Sequence, residues 1–95
     1  MAAYVVVDLE VTDPETYERY RTAVPDLVKK YGGRYLVRGG DVEVLEGDWQ
    51  PRRFVILEFP SMDDLKKFYD ADDYRDLKAA RIAATDGNLI AVEGL

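Results

Sequence analysis

The chain of 95 residues contains no cysteine and no histidine. Without cysteine there are no disulfide bonds, no thiol nucleophiles and no thiolate metal sites. Without histidine the chain lacks the most common general base and a frequent ligand of zinc and haem iron. Any chemistry therefore has to use carboxylates, tyrosine, lysine, arginine or a bound cofactor.

Basic residues are in the minority, and long apolar runs are missing. Lysine and arginine number 13 against 19 acids, which gives a net charge of −6. Nucleic acids and anionic membranes select basic patches that release counterions, so we expect neither as a partner. No segment is long enough to span a bilayer or has the pattern of a signal peptide, and we expect a cytoplasmic protein. A chain of this length predicts a single domain, residues 1–95, with a modest core.

Two stretches are apolar enough to be central strands of a sheet. Tyr4–Val11 opens with four consecutive apolar residues, and Phe54–Phe59 is interrupted only by Glu58. A strand with one face in water alternates apolar and polar residues, so these two need cover on both faces. Counting by twos places Asp8 and Glu58 on the less apolar face of each strand.

The capping signals predict where helices begin. Asp13 followed by Pro14 is typical of a helix start, and Ser61 with Asp64 three residues later resembles a capping box. Pro25 predicts either a kink in the first helix or two abutting helical segments. The predicted elements are a strand at Tyr4–Val11, a helix from Asp13 to Tyr31, a strand at Arg34–Arg38 that resumes at Asp41–Glu46, a strand at Arg52–Phe59, a helix from Ser61, a helix at Tyr74–Ala84, a turn at Thr85–Asn88 and a strand at Leu89–Glu93.

The order β-α-β-β-α-β is that of the ferredoxin-like unit, an α+β fold. We expect the first and third strands to be its central pair and to run parallel. Helices in this unit cover only one face of the sheet, yet both central strands are apolar on both faces. Face-to-face pairing of two sheets in a symmetric homodimer would cover the second face.

Three charged residues are predicted to meet on that second face. Asp8, Arg38 and Glu58 lie near corresponding ends of neighbouring predicted strands, and an arginine between two acids would neutralise otherwise costly charges. One interpretation is structural, with the network fixing strand register or dimer pairing. The other is catalytic, with Glu58 moving a proton, Arg38 orienting a carboxylate or enolate and Asp8 completing the set.

A second group of residues predicts a ligand pocket. Tyr69, Tyr74 and Arg81, with Trp49 above them, would form its wall, and the guanidinium would hold an anionic group. Aromatic residues at helical spacing are also typical of a core, so this alternative stays open. The acidic run from Asp70 to Asp76 lacks the loop pattern of a calcium site, and we predict no metal.

Several motifs resemble a known family. They are G-G-R-Y-L-V-R-G-G at Gly32–Gly40, V-I-L-E-F-P-S at Val55–Ser61, F-Y at Phe68–Tyr69, D-Y-R-D-L at Asp73–Leu77, and Arg81. Together they are similar to the domain of unknown function 1330 family, within the dimeric α+β barrel superfamily. The resemblance covers nearly the whole chain and implies that two ferredoxin-like protomers form a dimeric α+β barrel.

The resemblance also implies where functional side chains fall. The recurring polar and aromatic positions of the family would be Arg38, Glu58, Tyr69, Tyr74 and Arg81, while a position that is commonly tryptophan is Phe68 here. The wider superfamily includes cofactor-independent oxygenases, and also haem-degrading enzymes that use an axial histidine, which this chain lacks. A fold with so many chemistries does not by itself specify a reaction.

Two functions remain open at this stage. The first is a homodimer that binds a small organic molecule, acting as a cofactor-independent enzyme through carboxylate acid–base chemistry. The second is a non-catalytic stress or assembly module whose polar cluster is structural. Both predictions require neither a metal nor a cofactor.

Overall fold

The computed structural model describes residues Met1–Leu95. Its elements are β1 (Ala3–Val11), α1 (Pro14–Lys30), β2 (Arg34–Arg38), β3 (Arg53–Phe59), α2 (Met62–Tyr69), a 3-10 turn (Asp72–Tyr74), α3 (Arg75–Ala84) and β4 (Thr85–Glu93). The strands form one sheet in the order β2-β3-β1-β4. The α+β fold class and the ferredoxin-like order predicted from the sequence are confirmed.

The two central strands are β1 and β3, as expected, but they run antiparallel rather than parallel. The crossover through α1 makes β2 parallel to β1. The chain then reverses between β2 and β3, so β3 is antiparallel to both of its neighbours. The prediction of a parallel pair was wrong because it did not count this reversal.

Two predicted boundaries also change. Asp41–Glu46 is not a strand; it belongs to residues 39–52, a long connection without regular structure that we call the arm. Thr85–Asn88 is not a turn, because β4 begins at Thr85 and pairs with β1 along its whole length. Gly87 permits this pairing: its φ is 153°, and an added Cβ would lie 2.1 Å from the carbonyl oxygen of Asp8.

The helices begin where the capping signals indicate. The side chain of Asp13 accepts from the amide of Thr16, and Ser61 Oγ accepts from the amide of Asp64 at 3.1 Å. These bonds satisfy amides that a helix start leaves unpaired. Helix α1 continues through Pro25 as a single element.

All helices pack on one face of the sheet, which is the face predicted to be more apolar. The core there combines strand and helix residues: Val5, Val7, Leu9, Val55, Leu57, Phe59, Val24, Val28, Leu65 and Phe68. The molecule is therefore a two-layer slab of 36 × 35 × 16 Å. None of its helices combines the length and apolarity needed to cross a membrane.

The other face of the sheet, which we call the open face, has no helix over it. Tyr4, Val6 and Ile56 are only partly buried there. On β4, Ile90 and Val92 are exposed. The register places Val6 opposite both Ile56 and Ile90, so these side chains form a continuous apolar strip.

Candidate ligand-binding cavity

A cavity of ≈ 40 Å³ lies between the helices and the sheet. Its apolar walls come from the strands, α1 and α2, while its polar lining consists only of tyrosines and arginines. They are Tyr17, Tyr20, Tyr35, Tyr69, Tyr74, Arg21, Arg38, Arg53 and Arg81. No acidic side chain lines the cavity. Its volume exceeds what one water molecule needs, and it has room for a small polar group.

Arg81 is the most deeply placed charge of the cavity. Its side chain projects from α3, the residue is only 6% exposed, and Nε is buried with no hydrogen-bond partner. The guanidinium also makes no ion pair, since the ion pairs of the chain involve other residues. A buried charge without a partner destabilises a fold. This position is therefore suited to an anionic group supplied from outside the chain.

Two tyrosines, Tyr20 and Tyr74, line the same cavity as Arg81. Tyr20 Oη and Tyr74 Oη are 2.8 Å apart, so one hydroxyl donates to the other. The accepting hydroxyl keeps its own proton free to donate into the cavity. Burial raises the pKa of Tyr20, the neighbouring Tyr74 raises it further, and the Arg81 charge opposes this rise. Tyr20 therefore stays protonated and acts as a hydrogen-bond donor rather than as a base.

Arg53 and Arg38 lie nearer the surface. Arg53 Nε donates to Tyr17 Oη at 2.8 Å. Arg38 stacks over the ring of Tyr35, with 4.8 Å from Cζ to the ring centroid, and its Nη2 donates to the carbonyl oxygen of Arg21 at 3.1 Å. Both guanidinium groups are held by neutral partners.

The acceptor used by Arg38 exists because of Pro25. In a regular helix the carbonyl oxygen of residue 21 accepts from the amide of residue 25. Proline has no amide hydrogen, so the Arg21 carbonyl is left without its helical partner. The guanidinium of Arg38 occupies that position.

Arg38 lies on the opposite face of the sheet from the one predicted. The register of β2 against β3 shifts between Tyr35 and Val37, so that Val37 pairs with Ile56 and Arg38 with Val55. Val55 faces the core, and Arg38 therefore points to the cavity side. A bulge of this kind reverses the alternation on which the prediction depended.

The predicted network of Asp8, Arg38 and Glu58 is consequently wrong. Glu58 accepts instead from Arg34 Nε at 2.6 Å, on the open face. Asp8 accepts from the amide of Arg52 at 2.8 Å and from the indole of Trp49 at 2.9 Å. Both hydrogen bonds lower the pKa of Asp8, and the bond from the Arg52 amide has the larger effect. These bonds fasten the arm to the sheet, and neither acid lines the cavity.

Of the predicted ligand-binding residues, Tyr69, Tyr74 and Arg81 lie together along the cavity. Trp49 does not stand above them. It lies on the arm and is 61% exposed. Its ring packs edge-on against the ring of Phe54, with 5.9 Å between the two ring centroids. The arm's hydrogen bonds to Asp8 hold it on the other side of the sheet, a long-range contact that the loop sequence does not announce.

Sequence reasoning missed several lining residues. They are Tyr17 and Tyr20 on α1, Tyr35 on β2 and Arg53 at the start of β3, none of which stands out as a site residue in the sequence. The one available signal was Pro25, which leaves a helical carbonyl unpaired.

Solved structures share this architecture. RPA0582, a protein of unknown function from Rhodopseudomonas palustris, has a TM-score of 0.80 at 20% identity, covering 99% of this chain and 82% of that one. The methylated form of RPA0582 gives a TM-score of 0.78 at 18% identity, covering 99% and 81%. SnoaB, a cofactor-independent oxygenase from Streptomyces nogalater, gives 0.68 at 10% identity, covering 99% and 93%. Such low identities establish the fold alone.

No curated protein matches the sequence. The family comparison agrees with the resemblance seen in the motifs, because the model described as "Domain of unknown function (DUF1330)" matches residues 2–95. The match covers nearly the whole chain, and the protein therefore belongs to the DUF1330 family.

Proposed function

We propose that this protein binds a small organic acid in the cavity between its helices and its sheet. The observation that carries the proposal is the buried, unpaired guanidinium of Arg81. A carboxylate would accept from its N–H groups in a paired geometry, and hydrogen bonds of this charge-assisted kind are the strongest available to a protein side chain.

The balance of donors and acceptors supports an anionic ligand. Arg81 and the hydroxyl pair of Tyr20 and Tyr74 all offer hydrogens to the cavity. The lining offers no carboxylate to accept them. A ligand rich in acceptor oxygens satisfies these groups, whereas a cationic ligand would face four arginines.

The same donors define the chemistry that the cavity supports. Preorganised donors in a site without bulk water stabilise negative charge that develops on a ligand oxygen, as in an enolate. SnoaB, which has a similar fold, is described as a cofactor-independent oxygenase. Glu58 and Asp8 are outside the lining, so their acid–base role stays a prediction that this cavity does not support.

A panel of small organic acids tests the proposal by thermal shift, followed by calorimetric titration of those that raise the melting temperature. We expect acids, and not their neutral amides, to stabilise the protein. Arg81→Met should abolish the shift. Arg75→Met is the matched control, because Arg75 lies on the same helix but is exposed and pairs only with Asp72. Equal binding to Arg81→Met, or no shift with any acid, would contradict the proposal.

We also propose that the open face pairs with the open face of a second copy. Its apolar strip includes the exposed side chains of Ile90 and Val92. Three of its acids have partners within the chain: Glu58 pairs with Arg34, Glu10 with Arg52, and Asp8 accepts hydrogen bonds from the arm.

Light scattering coupled to size-exclusion chromatography measures this association. We expect a dimer at micromolar concentration and a monomer for Ile90→Lys, because a charge at the centre of the strip would be buried on pairing. Ile82→Lys, which alters an exposed isoleucine on α3, is the control and should stay dimeric. A monomeric wild-type protein would refute the pairing and leave the cavity proposal standing.

A further inference from the structure

Unpaired arginines are concentrated in one place. The chain has eight arginines, of which Arg21, Arg34, Arg52 and Arg75 form ion pairs with acids. The other four are Arg19, Arg38, Arg53 and Arg81, and the last three of these line the same cavity. The chain has 19 acids available, so a lack of partners does not explain this pattern.

The three arginines occupy two depths. Arg81 is buried, whereas Arg38 is exposed and Arg53 is half-buried. Like charges gathered at one opening repel each other, and an anion that enters would relieve this repulsion. The cavity therefore has one site for negative charge at its inner end and another at its mouth.

Neighbouring residues hold Arg38 and Arg53 in place at the mouth of the cavity. Gly39 has a φ of 70°, which favours glycine, and it lies against the Arg53 guanidinium, since an added Cβ would be 2.8 Å from Nη1. Tyr17 fixes Arg53 Nε, and the Arg21 carbonyl freed by Pro25 fixes Arg38. All these partners are neutral, so the positive charge of both side chains remains available to a ligand.

We infer that the ligand carries two acidic groups: it is a short dicarboxylic acid whose inner carboxylate lies at Arg81 and whose outer carboxylate lies at Arg38 and Arg53. This inference rests on the proposed function. The inner cavity of ≈ 40 Å³ admits only a small group, so the outer carboxylate is near the mouth and the linker is short.

Calorimetric titration with matched ligands tests the inference. The series malonate, succinate, glutarate and adipate is compared with the monomethyl ester of each acid, which has the same backbone but one negative charge. We expect one chain length to bind best, and its diacid to bind about tenfold or more tightly than its monoester. The double variant Arg38→Met/Arg53→Met should bind the diacid only as well as the monoester. Arg81→Met should weaken both ligands.

Arg19→Met serves as the control for net charge, because Arg19 is unpaired but does not line the cavity. It should keep the preference for the diacid. If the monoester binds the wild-type protein as tightly as the diacid, or if Arg19→Met removes the preference as fully as the mouth variants do, the inference is overturned and the proposed function stands. If no acid of the series or of the wider panel binds, the proposed function itself fails.

Discussion

The two faces of the sheet use charge in opposite ways. On the open face and under the arm, the acids have partners within the chain: Glu58 with Arg34, and Asp8 with Trp49 and the Arg52 amide. On the helix side, Arg81, Arg53 and Arg38 form no ion pair with an acid. Charges that are paired within the chain stabilise the fold. Unpaired charges that line a cavity indicate the charge of the ligand that would bind there.

The largest expected effect of breaking this contrast is at Arg81. Because its buried charge has no partner, Arg81→Met should raise the free energy of unfolding of the unliganded protein by about 1–3 kcal/mol. Urea denaturation of both proteins measures the difference. A variant less stable than the wild type would mean that Arg81 is a structural residue whose charge is compensated within the fold.

The next effect is at Asp8, on the other side. Asp8→Ala leaves the Trp49 indole and the Arg52 amide without their acceptor, and should lower the free energy of unfolding by about 1–2 kcal/mol. Trp49 is the only tryptophan, so its fluorescence reports release of the arm directly. Binding of organic acids should be unchanged. Loss of binding with an intact fold would return Asp8 to the functional site.

Acid provides a smaller and graded version of the same test. The hydrogen bonds to Asp8 lower its pKa in the folded protein, so the folded state favours the ionised carboxylate. The contribution of Asp8 to the free energy of unfolding is complete above its unfolded pKa of about 3.9. It is lost as the pH falls through the lower pKa of the folded protein. A titration from pH 6 downward, followed by Trp49 fluorescence, should therefore show a transition below about pH 3.9 in the wild-type protein. The Asp8→Asn variant should not show this transition. A transition at the same pH in Asp8→Asn would assign it to other groups.

The smallest effect is at Glu58, the residue for which the sequence predicted catalysis. Its partner Arg34 is largely exposed, and exposed ion pairs contribute about 1 kcal/mol or less. Glu58→Gln should change stability by no more than that and leave ligand binding intact, as Glu93→Gln should at the end of β4. Calorimetry with an acid that binds the wild type makes the comparison. A selective loss of binding in Glu58→Gln would support the catalytic prediction.

The sequence was sufficient for those parts of the fold that depend on neighbouring residues. The caps at Asp13 and Ser61 and the helix-facing side of β1 follow from spacing and hydrogen-bonding chemistry. The strand order follows from the order of elements, since short connections leave few topologies.

The candidate site could not be predicted in the same way, because it depends on register and on long-range contacts. A single shift between Tyr35 and Val37 moved Arg38 from the face of Glu58 to the cavity. Trp49 lies 41 residues from its partner Asp8, and nothing in the arm specifies that pairing. Alternation shows that a strand has two faces. It does not show which of the two faces an arginine occupies when the strand contains a register shift.

The position of Arg38 depends on a hydrogen bond that α1 lacks because residue 25 is proline. Replacing it with alanine would let a backbone amide reclaim the Arg21 carbonyl and complete the hydrogen-bond ladder of α1, and Arg38 would then lose its anchor. A more regular helix would thus detach a side chain on a different element. The Arg21 carbonyl can complete the helix or anchor Arg38 at the mouth of the cavity, and Pro25 leaves it free to anchor Arg38.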